Sequence, residues 1–345
     1  MNIYFFHLWN NYSGSTIVLS QVIERINSAK IFKRVEIVTS KGLGPLNQSC
    51  ANQRLLYTYN GTSEKLRWLS FIYATTMQLL FILFCTKKDD VLYLNTNLFA
   101  PIVKLIRIFR PNIIWHLHED IAKDSWINKV LRTIDLSMVS VISVSQYASQ
   151  ALQDINVEII PNFFETSFVM TPSEKKGVLF VGSTAQYKGF ETYVELARSM
   201  PEVNFFAALS SEPGGVILPK NLDIYIQPND LSVLYNMSYV TLNLTNPDLV
   251  RETFGMTMLE AIRRGNAVVY PSVGGIAESF NNYKYAYPCS DPRDIFELKS
   301  ILKTVALLDN NSIAFEARKF LLKVEGLKPK ERLLALVKEV KKQNA

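Results

Sequence analysis

The sequence predicts an α/β protein built from two Rossmann-like units, each a parallel sheet wound with helices. Three observations carry that expectation. Short runs rich in Val, Ile, Leu and Phe alternate with segments whose apolar residues recur at helical spacing. The alternation stops at a polar stretch containing T-P-S-E-K-K and then restarts. At 345 residues, 48% of them hydrophobic, the chain is long enough for two domains that each bury a core.

In chain order, residues 2–8 read as a strand, Asn10–Thr16 as a polar loop with one glycine, and Ile17–Asn27 as a helix. Val35–Thr39 is a strand. A long helical pattern covers Glu64–Cys85, followed by a strand at Val91–Asn95 and a helix reaching about Phe109. Ile113–His118 and Val139–Val144 are strands, and Ile159–Pro161 is a short one. After the linker from Phe163 to Lys176, strands fall at Val178–Gly182, Asn204–Leu209, Leu222–Ile226 and Val240–Leu244, with helices at Gly189–Ser199 and Leu231–Asn236. The last helix covers Pro329–Lys342. The expected organisation is a first domain over 1–165, a second over 174–325, and a terminal helix within 328–345. Ligands of such sheets bind at the carboxyl ends of the strands, so a cleft between the two facing domains is the expected site.

The net charge of +6 and pI near 9.0 suit an anionic ligand or an anionic membrane surface. No basic run with interleaved aromatics and no zinc-ligand spacing occurs, so nucleic acid is not an expected partner and no metal is expected. Cys50, Cys85 and Cys289 are scattered and odd in number, which argues for a reducing compartment over a disulfide framework. The start M-N-I-Y-F-F-H-L-W-N-N lacks a basic n-region and reads as a first strand. The expected location is cytoplasmic, and the Asn60-Gly61-Thr62 sequon then carries no weight.

The most informative segment is R-E-T-F-G-M-T-M-L-E-A-I-R-R-G-N-A-V-V-Y-P, residues 251–271. It reads as a loop, a helix and a buried strand. Thr253 is the expected cap, Phe254 and Gly255 the entry turn, Met256–Arg264 the helix, Gly265 its end and Ala267–Tyr270 the strand. The amides of residues 254–257 would point out of the helix N-terminus, where amides and dipole favour phosphate. Glu252 lies just before those amides and Glu260 inside the helix. Carboxylates accept hydrogen bonds from hydroxyls, so a ligand with a central diphosphate and hydroxyl-rich groups on either side would use both features. A nucleotide-sugar is such a ligand. A surface helix with acidic residues near its start would also carry two carboxylates; the T-F-G-M between them and the L-E-A-I-R-R-G-N-A-V-V around the second are what set this pair apart.

This segment resembles the E-x(7)-E element of glycosyltransferase family 4, retaining nucleotide-sugar transferases of GT-B fold. The resemblance implies that Glu252 meets the donor sugar and Glu260 the nucleotide ribose. V-L-F-V-G followed by S-T-A-Q-Y-K-G resembles the family's donor-phosphate loop: Lys188-Gly189 matches, whereas Ser183 stands where an arginine is usual. A charge-assisted contact contributes about 1.5–3 kcal/mol, which Arg251 or the helix amides would have to replace. Gly274-Gly275, with Glu278 beyond, resembles the family's G-G-x-x-E near the donor. Gly14, in Ser13-Gly14-Ser15, stands where the family often carries two glycines. In I-I-W-H-L-H-E-D, alternation sends His116 and His118 to one face; the resemblance puts His118 beside the donor sugar, leaves His116 in the core, and lets Glu119 and Asp120 contact acceptor or hold the loop. I-S-V-S-Q (142–146) and I-I-P-N (159–162) also resemble family segments of architectural role.

Trp68–Cys85 carries no charge and is flanked by Lys65, Arg67, Lys87 and Lys88. Its 18 residues reach the lower limit for a span, but Ser70, Tyr73, Thr75, Thr76 and Gln78 interrupt it, and a span would pull a helix out of its sheet. A buried helix or one lying in an interface is expected. L-F-A-P-I-V-K-L-I-R-I-F-R (98–110) repeats the mixture, so the first domain either rests on the anionic inner face of a cytoplasmic membrane or has two core helices with basic edges.

The resulting expectation is a retaining, metal-independent transferase with a nucleoside diphosphate sugar as donor and no other cofactor. The acceptor would be a saccharide or lipid-linked saccharide in bacterial surface-polysaccharide assembly, such as O-antigen or capsule. A same-fold epimerase or phosphorylase-like enzyme, and a non-catalytic scaffold, are the alternatives.

Overall fold

The structure is a computed structural model that describes residues 1–49, 51–58, 64–120, 126–152, 155–163, 175–228 and 230–342. Cys50, the sequon at 60–62 and linker residues 164–174 lie outside the described residues. The chain divides into one unit of Met1–Glu165 with Lys328–Ala345 and a second of Thr166–Leu327.

In the first unit, in order, lie β1 (Ile3–Phe6), α1 (Gly14–Ser28), β2 (Val35–Lys41), β3 (Asn52–Thr58), α2 (Glu64–Cys85), β4 (Val91–Leu94), α3 (Ala100–Ile106), β5 (Ile113–Leu117), α4 (Trp126–Leu131), β6 (Val139–Ser143), α5 (Gln146–Ser149) and β7 (Val157–Ile159). The seven strands form one sheet in the order β3-β2-β1-β4-β5-β6-β7. Every pairing is parallel, with Ile3 of β1 opposite Val35 on one side and Val91 on the other. β1, β4 and β5 are buried along their whole length, as centre strands covered on both faces must be. Right-handed crossovers put α1 on one face and α2, α3 and α4 on the other, where Phe6, Leu92, Leu94, Trp115 and Leu131 form one core.

The second unit follows with β8 (Gly177–Gly182), α6 (Phe190–Arg198), β9 (Asn204–Leu209), β10 (Leu222–Ile226), α7 (Ser232–Met237), β11 (Ser238–Leu242), α8 (Met256–Arg263), β12 (Ala267–Pro271), α9 (Gly275–Phe280), β13 (Ala286–Cys289), α10 (Ile295–Ala306) and α11 (Asn310–Gly326). Its six parallel strands run β10-β9-β8-β11-β12-β13. The final helix, α12 (Pro329–Lys342), buries Leu333, Val337 and Val340 in the first unit. Arg332 pairs there with Glu158, and Lys341 Nζ donates to Ile31 O.

The two-unit parallel architecture is as the sequence predicts, and the differences lie at the margins. α1 begins at Gly14, three residues ahead of the expected start, because Ser13, Ser15 and Thr16 join in the helix's own entry turn. The helix expected to run to about Phe109 ends at Ile106, and Arg110 turns back to donate to the Ile82, Leu83 and Thr86 carbonyls at the end of α2. β3, α4, α5, β13, α10 and α11 go beyond the sequence reading. Asp294 and Asp309 cap α10 and α11 by accepting from Phe296 N and Glu297 N, and from Ser312 N, respectively.

α2 is the least buried of the crossover helices. Among its described side chains only Ala74, Gln78 and Ile82 are buried, one residue per turn on a single stripe. Gln78 Nε2 donates to His7 O (3.0 Å) and to Tyr57 Oη (2.6 Å), and Tyr57 Oη donates to Leu8 O.

The three histidines of the chain gather at the carboxyl ends of β1 and β5. His7 Nδ1 lies 3.1 Å from Asn95 O and its Nε2 lies 3.2 Å from Thr16 Oγ1. His118 Nε2 lies 2.9 Å from Asn95 Oδ1. His116 Nδ1 meets the Tyr93 hydroxyl at 2.7 Å, and its ring lies 4.0 Å from that of His118. Burial lowers His7 to about 4 and His116 to about 3. His118 is pushed well below the ordinary imidazole value by burial and then by His116 and His7. All three rings are therefore neutral in the folded chain, while in the unfolded chain each takes a proton near pH ~6.5. From there down to the folded values the unfolded state binds more protons, so stability falls as pH falls. Glu119, raised by its own burial, acts in the opposite sense. The melting temperature should decline between pH ~6.5 and ~4, with His7 and His116 each approaching about 1.4 kcal/mol per pH unit. A melting temperature constant down to pH ~5 would mean that these rings are charged in the folded protein.

Candidate active site

The second sheet reverses its winding between β8 and β11. From β8 the chain winds outward through α6 to β9 and β10; from β11 it winds the other way through α8 to β12. The loops leaving the carboxyl ends of β8 and β11 therefore part, and such a switch point is where open α/β sheets bind ligands. Lys188 sits in the first loop and Glu252 in the second, and the structure brings them together. Lys188 Nζ donates to Glu252 Oε1 at 2.5 Å, and Thr245 Oγ1 donates to the same oxygen at 3.0 Å. Asn246 N donates to Tyr187 O at 2.7 Å, tying the two loops by their backbones. Burial alone would push the Glu252 carboxyl up; the Lys188 ammonium and hydrogen bonds from Lys188, Thr245 and Asn243 outweigh it and hold the carboxyl below its ordinary value.

Immediately beyond Glu252 the chain enters α8. Thr253 is not its cap, contrary to the sequence expectation. The cap is Gly255, whose φ of +89° keeps the chain out of helical conformation until Met256. Phe254 turns its side chain inward and meets the Phe280 ring edge-on at 5.8 Å. The first intrahelical bonds run from Met258 N and Leu259 N to Gly255 O, so the Met256 and Thr257 amides lie at the open end of the helix. Glu260 stands in the second turn and accepts from the Tyr235 hydroxyl at 2.8 Å. That hydroxyl also lies 3.4 Å from Thr257 O in the first turn. Burial raises the Glu260 carboxyl against the lowering effect of Tyr235 and Arg263. Lys175 Nζ donates to Arg264 O, Gly265 O and Asn266 Oδ1 at the far end of α8. A cation there meets the negative pole of the helix; burial and then Arg264 bring this lysine down to about 7.

Other sequence candidates are placed less centrally. Ser183 Oγ lies 3.4 Å from Ala185 N and shapes the loop after β8, without supplying a cation. Arg251 is exposed, with its Nε 3.4 Å from Pro247 O. Gly14 is the first residue of α1 and exposed. His118 is buried in the first unit's histidine cluster. Glu119 accepts from Thr96 Oγ1 (2.7 Å) and Asn97 N (2.9 Å), which anchors the loop after β4. Among the described residues no group of three or more His, Cys, Asp or Glu could hold a metal ion. The sequence reading missed Tyr235, Thr245 and Asn243, which orient the two glutamates. Only Asn243 and Thr245, flanking the end of a predicted strand, carried a positional signal.

Gly274 and Gly275 belong with Glu252. Ile276 N, in the first turn of α9, donates to Glu252 O at 3.2 Å. Gly274 has φ +95°, and a Cβ there would stand 2.8 Å from Glu252 O. Gly274→Ala should destabilise the protein by about 1–3 kcal/mol in a thermal melt. Gly214→Ala, whose Cβ meets nothing within 4 Å, should leave the melt nearly unchanged; equal melts for the two variants would contradict the packing of the Gly274 turn on Glu252.

No protein-family model and no curated protein matches the chain. Solved structures do. HepE from Anabaena, in complex with UDP and glucose, superposes with a TM-score of 0.73 at 15% identity, covering 98% of this chain and 99% of that one. A glycosyltransferase from Rickettsia africae gives 0.69 at 14% identity over 99% and 98% of the two chains. The lipopolysaccharide outer core galactosyltransferase WaaB, in its apo form, gives 0.62 at 12% identity over 96% and 99%. At these identities the likeness is one of fold, and it covers both units: the chain has the two-unit GT-B architecture found in glycosyltransferase structures.

Proposed function

We propose that this protein is a retaining, metal-independent glycosyltransferase of family 4 type, moving a sugar from a nucleoside diphosphate to a hydroxyl acceptor. The observation that carries the reading is the pairing of Lys188 with Glu252 at the switch point of the second sheet, directly before the open N-terminus of α8. On arrival of the donor, Lys188 and the amides at the start of α8 would hold the diphosphate, with Arg251 at the rim in place of the cation that Ser183 does not supply. Glu252, released from Lys188, would accept from sugar hydroxyls, Glu260 from the ribose hydroxyls, and His118 is assigned to the sugar as well. The bond from the anomeric carbon to the donor phosphate oxygen breaks while the bond to the acceptor oxygen forms on the same face. The acceptor proton passes to the leaving diphosphate. Charge on that leaving group is what Lys188 and the helix stabilise.

The likeness to HepE bound to UDP and glucose makes UDP the first nucleotide to test, and the likeness to WaaB supports an acceptor of the lipid-linked saccharide class, used in bacterial surface-polysaccharide assembly on the cytoplasmic side. Thermal melts against a panel of nucleoside diphosphates and their sugars test the donor site. A nucleotide at a hundred times its dissociation constant should add about 2.7 kcal/mol, and Glu260→Ala should lose that gain. A panel that moves the melt nowhere would remove the donor reading and favour a non-catalytic scaffold. Glu252→Ala should keep the nucleotide shift and the fold but lower transfer by about a hundredfold or more; unfolding of that variant would make Glu252 structural. Release or rearrangement of the sugar without any acceptor would point to a phosphorylase-like or epimerase reaction instead.

A further inference from the structure

The outer helices of the first unit present an apolar surface that the sugar-transfer reading does not use. α2 buries the stripe Ala74, Gln78 and Ile82. At 100° per residue the opposite side of the helix carries Leu69, Ile72, Tyr73, Leu80, Leu83 and Phe84, all exposed, Leu69 to 63% and Phe84 to 81%. This inverts the usual arrangement, in which the polar side of a helix faces water. The surface continues onto the end of α3 with Leu105 and Ile108, the latter 79% exposed. Arg110 donates to three carbonyls at the end of α2, which fixes that segment against the helix. At the other end of α2, Trp68 packs on Trp126 (centroids 5.8 Å apart), and Phe71 contacts both rings. Tryptophans that keep an exposed edge favour the boundary between headgroups and acyl chains.

Charge identifies the occupant. Residues 66–110 contain six Lys or Arg (Arg67, Lys87, Lys88, Lys104, Arg107, Arg110) against Asp89 and Asp90, a net of +4 within a chain of +6. Asp90 is buried and bonded to Asn2 N and Lys87 N, and Arg107 pairs with Asp135 at 3.1 Å, so one charge of each sign is spent within the fold. A second copy of this chain would bring like charges face to face. An anionic bilayer offers both an apolar layer for the leucines and aromatics and negative headgroups for the surrounding cations. The helix is also long and apolar enough to cross a membrane by length and composition. Its position as the crossover from β3 to β4, however, and the bonds of Gln78 keep it packed on the sheet.

We propose that the α2–α3 face of the first unit docks flat on an anionic lipid surface, with the outward side of α2 entering the headgroup boundary. The proposal does not depend on nucleotide binding or on transfer, and its test reads neither. Purified full-length protein is co-sedimented with phosphatidylcholine vesicles and with vesicles that also contain phosphatidylglycerol, at low and high salt. The protein should pellet with the anionic vesicles and be released by salt. Leu69→Ser combined with Phe84→Ser, and separately Lys87→Glu combined with Lys88→Glu, should each weaken binding about tenfold or more with melting temperature unchanged. The second pair keeps the proposal testable should the first disturb folding. Absence of binding to anionic vesicles at low salt would overturn it, as would equal binding by the charge-reversed variant. It would also fall if the protein formed a dimer that Leu69→Ser with Phe84→Ser disrupts while no vesicle is bound.

Discussion

A sheet whose strands all run one way can cover both its faces only if its winding reverses somewhere, and at the reversal two neighbouring strands send their loops in opposite directions. Both sheets of this protein obey that constraint, at β1 and β4 in the first unit and at β8 and β11 in the second. The polar groups that cannot be placed in the sheets collect at the same two points. In the first unit they are His7 after β1 and Asn95 after β4, joined by His118 after β5. In the second they are Lys188 after β8 and Thr245 and Glu252 after β11. The chain's most concentrated polar chemistry thus follows from topology before any individual residue is considered.

The two clusters differ in what burial does to them. In the first, desolvation wins: burial is the largest influence on all three rings, and the imidazoles stay neutral. In the second, an ammonium sits beside Glu252 and reverses the effect of burial, so the carboxylate is charged and its cation engaged. Such a pair satisfies two charges that would otherwise be costly in a half-buried loop. It is also exchangeable, because an incoming phosphate offers Lys188 a stronger acceptor set and hydroxyls offer Glu252 donors. The same contact therefore stabilises the empty site and defines what can replace it.

Much of this was legible in the sequence where spacing and chemistry coincide. Glu64–Cys85 and Pro329–Lys342 are bounded as their periodicity predicts, and the segment from Glu252 to Pro271 folds as loop, helix and strand. The cap of α8 was misread because Thr253 has the right chemistry, while only the backbone reveals that Gly255 holds the left-handed turn. Tyr235 could not be found from sequence: it lies on α7, 25 residues before the glutamate it holds, and a tyrosine in a short apolar helix reads as core. The burial of α2 was also beyond reach. A helix with apolar residues on every side gives no hint of which side is covered, and most of this one is exposed.

That last point gives Gln78 a significance out of proportion to its size. Hydrophobicity gives α2 little direction in which to roll, since its apolar residues are not gathered on one side. The amide of Gln78, reaching the carbonyl that follows β1 and the hydroxyl of Tyr57 on β3, breaks that degeneracy. It acts as a key in a slot: one polar group, satisfied in a single rotational setting, selects which leucines are hidden and which are shown. An isosteric apolar residue in its place would preserve the helix and its area, yet erase the instruction that fixes its azimuth.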